Sequence, residues 1–268
     1  NAIWCKVFGN KKALSLALKG QKEIENVYDI VISSSGSVGT KTVTVGCPEV
    51  VLQKTKAREK WCFVHGDYEK SGLNEPYANS IYEKFDRILC VSESCANIMK
   101  SMAPQLAPKV DFLYNVCNDA DIREKAKEFK VEFSDKLNLI TVARLSEEKG
   151  HIRFLTQLKK LHDEGYNFCY SIVGDGNQKE NIKNFIKENQ MDDYVKMFGN
   201  QHNPYPYIKA ADLFVLPSFH EAAPMVYAEA FVCGVPVLST NTRSAQELVG
   251  DKGFVCDEEL LFILLLLF

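Results

Sequence analysis

Residues 212–240, DLFVLPSFHEAAPMVYAEAFVCGVPVLST, constrain the fold more than any other stretch. A strand that is apolar on both faces leads into a short loop, a helix opening at Pro224, a Gly turn and a second apolar strand. Strands without a polar face must be covered on both sides, and successive strands joined through a helix run parallel. The stretch therefore predicts part of an α/β, doubly wound parallel sheet.

The same alternation extends to both sides of it. Apolar strands are expected at 138–144, 167–174, 195–200 and 253–256, with helices at 147–165, 177–189, 205–211 and near 244–249. In the first half, strands are expected at 28–35 (buried), 61–68, from 85 and over 109–117. Helices are expected over 13–25 (spacing Leu14, Leu18, Ile24), 47–60 and 75–86, and in ESCANIMKSM behind a Ser cap. The run 119–136 has no Gly or Pro and alternates in charge, which predicts a helical connector. Two domains follow, 1–118 and 119–268. The first is short of strands, and with no Met at Asn1 the expectation is that its opening is missing. The apolar run Leu260–Phe268 is about half of the ~20 residues a membrane span requires. A truncated terminal helix is the preferred reading over an anchor.

Charge narrows the partners. The chain has 32 Lys and Arg against 35 Asp and Glu, a net charge of −3, so no basic excess neutralises a nucleic-acid backbone. The nine cysteines are irregularly spaced without a CxxC pair, and many sit in apolar runs. That pattern fits a reducing, cytoplasmic compartment better than a disulfide framework or a zinc site.

Ligands of such sheets bind beyond the carboxyl ends of the strands. There the second half carries Arg144–Gly150, Gly174-Asp175-Gly176, Gly199-Asn200, Ser218–Pro224 and Ser239–Thr242. Arg144 and Lys149, at a strand-to-helix junction, suit a diphosphate, although each alone is equally a solvated cation. The VGDGNQK turn lacks the third Gly of a dinucleotide loop, so Gly174 and Gly176 mark either a turn that approaches a ligand or a plain turn. Glu221 and Glu229 flank the start of the helix opened by Pro224, with seven residues between them. Glu229 can accept both hydroxyls of a ribose, and Glu221 those of a second hydroxylated group.

ARLSEEKG, VGDG, FGNQHNPYPYIKAADLFVLPS and HEAAPMVYAEAFVCGVPVLST together resemble the retaining glycosyltransferases of family 4. WCFVHGDY, FDRILCVSE and KVDFLYN resemble the acceptor domain of that family, above all in bacterial enzymes of capsular and exopolysaccharide synthesis. The resemblance implies the GT-B fold: two Rossmann-like domains facing a cleft, the N-terminal one incomplete here. It implies that Arg144 and Lys149 hold the donor diphosphate and Glu229 the ribose. Glu221 would face the transferred sugar, with His65 across the cleft. The backbone of Ala222, Ala223, Pro224, Met225 and Val226 would contact sugar and phosphate, and Asn200 would lie by the base. The expected donor is a nucleotide-diphosphate sugar, a UDP-sugar first, with no metal and no other cofactor. The expected acceptor is a glycan or lipid-linked saccharide, which brings peripheral membrane association at the inner face into consideration.

Two departures stand out: Ala222 occupies a position where the family often has Gly, and the Gly-rich opening loop has no counterpart. The alternatives are a sugar-nucleotide epimerase of the same fold, an inactive nucleotide-sugar binder, and a metal-dependent transferase using Asp119-Ala120-Asp121 as a DxD motif.

Overall fold

The computed structural model describes residues 18–35 and 46–257. Leu14, Cys5 and the apolar run from Leu260 lie outside them. The chain divides into two compact units, residues 1–115 and 116–268.

The first unit is a four-stranded parallel sheet in the order β1-β2-β3-β4. Its elements are β1 (Val27–Ser33), α1 (Cys47–Lys54), β2 (Lys56–Val64), α2 (Pro76–Tyr82), β3 (Arg87–Cys90), α3 (Glu93–Met102) and β4 (Val110–Phe112). Three expectations need correction. The helix predicted over 47–60 stops at Lys54, because Thr55 turns extended and Lys56–Lys60 pair with β1. The Lys60 ammonium then caps the end of α1 through the carbonyls of Leu52 and Thr55, at 3.0 and 2.8 Å. Residues 22–26 are not helical, and the Ile24 amide bonds to the Lys54 carbonyl at 2.8 Å. The strand at 28–35 is not buried: in β1 only Ser33 is fully covered, and Val27 is 72% exposed. Ser92 caps α3 by accepting from the Cys95 amide at 3.1 Å, as its position predicts.

The second unit carries α4 (Asp119–Lys125), β5 (Leu137–Val142), α5 (His151–Asp163), β6 (Phe168–Val173), α6 (Lys179–Glu188) and β7 (Val195–Gly199). After these come α7 (Tyr205–Lys209), β8 (Leu213–Leu216), α8 (Met225–Val232), β9 (Val237–Thr240), α9 (Ala245–Val249) and β10 (Gly253–Cys256). Its six strands are parallel and ordered β10-β9-β8-β5-β6-β7. The chain therefore builds outward from β5 in one direction and then, from β8, in the other. β5 and β8 are the switch point, where strand ends diverge and leave a crevice. β8 and β9 are buried at every position, as the apolar runs require. One core cluster, with Leu139, Phe154, Leu158 and Tyr170, and another, with Ile140, Phe214, Tyr227 and Val237, form around the sheet.

The connector is helical only over Asp119–Lys125. Beyond it Phe129 packs on Tyr207 and Phe133 on Phe198, and these two aromatic anchors lay the chain along the domain in place of a continued helix. The helix expected at 147–165 also begins later. Glu147–Lys149 form a single 3-10 turn, Gly150 takes φ +68°, and α5 starts at His151. A Cβ on Gly150 would stand 2.1 Å from the Pro217 carbonyl oxygen, so this position requires glycine on both counts.

Candidate active site

The loops that leave β5 and β8 meet at the switch point. The Lys149 ammonium lies 2.6 Å from Glu221 Oε1, and the two side chains are 14% and 11% exposed. Ser218 donates to the same oxygen at 2.6 Å. Both bonds fall on Oε1. Residues 72 positions apart in sequence thus form one nearly enclosed ion pair.

The Glu221 loop is pinned from three directions. The Phe219 amide donates to the Glu148 carbonyl at 2.8 Å. Arg153 of α5 donates to the Pro217 carbonyl, and Thr240 of β9 to the Ser218 carbonyl. On the β5 side, buried His151 lies 3.1 Å, through Nε2, from the Arg144 carbonyl, while its Nδ1 is buried without a partner. Burial holds the His151 imidazole below its ordinary pKa, so the ring is neutral and Nε2–H is the donor. Arg144 reaches outward, 76% exposed, and its guanidinium lies 3.1 Å from Glu148. Burial raises the Glu148 carboxyl, but the Ser146 hydroxyl, a backbone amide, Arg144 and Lys149 together hold it below the ordinary range.

Glu229 is a different case. It lies one turn into α8, half-buried, and its carboxylate makes no hydrogen bond or ion pair among the described residues. Burial holds it above its ordinary pKa. Cys117, Tyr205 and Cys233 lie close enough for its charge to raise each of them, after their own burial has done so. Pro224 is the N-cap of α8, and the Tyr227 amide already donates to its carbonyl at 3.4 Å, which leaves the Met225 and Val226 amides at the helix start. No side chain caps this end, and its positive pole opens at the same edge as Lys149.

Gly174 and Gly176 are needed for packing. A Cβ on either would stand 1.9 or 2.3 Å from the carbonyl oxygens of Ala143 or Leu145. The turn is stitched to the end of β5 by Leu145 N–H to Asp175 O at 2.9 Å and Gln178 N–H to Leu145 O at 2.8 Å. Asn200 is exposed just past β7, and Ala222, Ala223, Pro224, Met225 and Val226 line the loop and first turn at intermediate exposure. His65 belongs to the first unit, exposed at the end of β2 and stacked on Phe63 at 5.8 Å. Asp119 and Asp121 are two apart on a helix and so point to different faces, and Asp121 is paired with Lys125 at 2.7 Å. His151 escapes sequence reasoning, since a lone imidazole carries no spacing signal, and the sequence places Ser218 and Thr240 at the ligand edge without a role.

Residues 122–260, about half of the chain, match the family described as glycosyl transferases group 1. The N-acetylgalactosamine-N,N'-diacetylbacillosaminyl-diphospho-undecaprenol 4-alpha-N-acetylgalactosaminyltransferase of Campylobacter jejuni is 28% identical over 68% of this chain and 49% of its own. The putative colanic acid biosynthesis glycosyltransferase WcaL of Escherichia coli is 34% identical over 43% of this chain and 31% of its own. The chain spans about half or less of these relatives. Among solved structures, Anabaena HepE in complex with UDP superposes with a TM-score of 0.67 at 18% identity, covering 96% of this chain and 71% of that one. Sucrose-phosphate synthase from Thermosynechococcus elongatus gives 0.70 at 16% identity, covering 88% and 62%. At these identities the likeness is one of fold, and the fold is that of the GT-B glycosyltransferases.

Proposed function

The chain belongs to the glycosyl transferases of group 1, and from that premise we propose that it is part of a retaining, metal-independent glycosyltransferase. It would move a sugar from a nucleoside-diphosphate sugar, UDP-linked first, to a glycan or lipid-linked acceptor in polysaccharide biosynthesis. The observation that carries this reading is the enclosed Lys149–Glu221 pair at the switch point, beside the start of α8, which no side chain caps, and Glu229, whose carboxylate has no hydrogen bond or ion pair among the described residues. A cation, a helix dipole and two carboxylates on one strand edge match the needs of a diphosphate flanked by two hydroxylated rings. The names of the two relatives above, and the UDP held by HepE, support the substrate class.

Each group has a task on this reading. Arg144, Lys149 and the α8 amides stabilise the charge that develops on the departing diphosphate. Glu229 accepts the ribose hydroxyls, and its burial strengthens those bonds. Glu221 Oε2 accepts from the transferred sugar. The bond from the anomeric carbon to the diphosphate oxygen breaks and its electron pair leaves with the diphosphate. The acceptor oxygen bonds the same carbon from the same face, and its proton passes to the departing phosphate. No helix among the described residues is long and apolar enough to cross a membrane.

Calorimetry with UDP, GDP and ADP, beside a transfer assay in EDTA with the product anomer read by NMR, tests the proposal. Binding of one diphosphate, turnover in EDTA and an unchanged anomeric configuration are expected. Binding without turnover, metal dependence or inversion would overturn the corresponding part.

A further inference from the structure

One side chain on this edge breaks the pattern of the others. Among the described residues of the loops that leave β5 to β9, Phe219 is the only exposed large apolar side chain, at 48%. Its neighbour Ser218 is 1% exposed, and Leu145 on the facing loop is fully buried. An isolated surface phenylalanine on a wandering loop would mean little, but this one is fixed. Its amide is bonded to Glu148, and one face of its ring lies under the Arg153 guanidinium, 4.0 Å from the ring centroid. Arg153 is in turn held by the Pro217 carbonyl. The backbone and one ring face are therefore occupied, while the residue as a whole stays 48% exposed. Two residues on is Glu221, whose Oε1 is taken by Lys149 and Ser218.

A rigid aromatic face beside a carboxylate acceptor matches the two sides of a pyranose. The ring's axial C–H groups form an apolar face, and its hydroxyls form a polar rim. Accepting the nucleotide-sugar reading above, on which this rests, we propose that Phe219 is a stacking platform for a pyranose ring, set in place by Arg153. Glu221 orients the hydroxyls of that ring while Phe219 covers its apolar face. The arrangement selects sugars that present a ring face of C–H groups without an axial hydroxyl, a discrimination the carboxylate alone does not make. The pyranose is that of the donor or that of the acceptor, and the two leave different kinetic traces.

The test compares the parent with Phe219→Leu and Phe219→Trp. Affinity is measured by calorimetry for UDP, UDP-glucose and UDP-N-acetylglucosamine, together with hydrolysis of each UDP-sugar and transfer to methyl glycosides. Phe219→Leu keeps UDP affinity, which also certifies its fold, and loses about five- to tenfold in a sugar-dependent constant, while Phe219→Trp restores it. Loss in UDP-sugar affinity over UDP assigns the donor ring, and loss only in KM for the methyl glycoside assigns the acceptor ring. An equal loss of UDP affinity, or no change in any sugar arm with UDP binding intact, overturns the platform and leaves the nucleotide-sugar reading standing. Failure of the parent to bind UDP, GDP or ADP would overturn that reading itself.

Discussion

Glu221 and Glu229 stand eight positions apart on either side of one helix start, and the fold treats them in opposite ways. Glu221 is neutralised before any ligand arrives, by Lys149 at 2.6 Å and Ser218 at 2.6 Å, in a loop pinned from α5 and β9. Glu229 is half-buried with no hydrogen bond or ion pair to its carboxylate among the described residues, and burial shifts it toward the protonated form. One carboxylate is therefore structural until a ligand competes for its cation. The other carries a desolvation cost that only a ligand relieves. Stability and function are coupled with one sign at the first position and the other sign at the second.

The largest effect that sharpens this contrast is on transfer. Glu221→Gln keeps the shape but loses the charged acceptor, and turnover should fall about a hundredfold, the kinetic equivalent of one charged hydrogen bond. The same substitution frees Lys149 for phosphate, so affinity for the nucleoside diphosphate should rise severalfold by calorimetry. A parallel fall in both would break the account of Lys149 as shared between carboxylate and diphosphate.

Next in size is Lys149→Ala. Removing the cation strands Glu221 in a site 11% exposed, and stability should drop by about 2–3 kcal/mol in chemical denaturation. Adding Glu221→Gln should recover most of that loss without recovering transfer, since the pair couples directly. Purely additive losses would mean that the ion pair does not hold the loop. Glu229→Ala comes third: it should weaken nucleotide binding by about 1.5–3 kcal/mol, with little loss of stability. Unchanged affinity would remove Glu229 from the ribose.

The same contrast separates what the sequence makes legible from what it does not. β8 and β9 are readable because every residue of LFVL and VLST is buried, and a strand without a polar face has few alternatives. β1 misleads because Val27, Tyr28, Ile30 and Ile32 are as apolar as any core strand yet stand exposed, and composition does not say which strand lies at an edge. Lys56–Lys60 misleads in the other direction, since its charges suit a solvated helix, but Lys56, Arg58 and Glu59 stand exposed on a strand and the Lys60 ammonium turns onto the end of α1. Glu221, Lys149 and Glu229 are placed at one edge by strand order alone. The pairing of Lys149 with Glu221 spans 72 positions and depends on β5 and β8 being neighbours, which no local pattern encodes. The glycines of the 174–176 turn announce a close approach, but only coordinates show that the approaching group is the backbone of Ala143 and Leu145.

The smallest effect is the most discriminating, because it turns on sign. Burial raises the Glu229 carboxyl above its ordinary value of 4.5. A carboxyl raised on folding favours the folded state while protonated. That contribution is complete below the unfolded value and is lost as pH rises through the raised one. At pH 7 the charged Glu229 therefore costs stability, and Glu229→Gln should melt about 1–2 °C above the parent. The two melting curves should converge as pH falls toward 4.5. Glu221→Gln should move the other way at pH 7, melting below the parent, because it leaves the Lys149 ammonium enclosed without a counter-charge. Opposite signs from one chemical change at two positions of one loop and helix would establish that the first carboxylate serves the fold and the second is held in reserve for a ligand. Equal signs would dissolve the distinction.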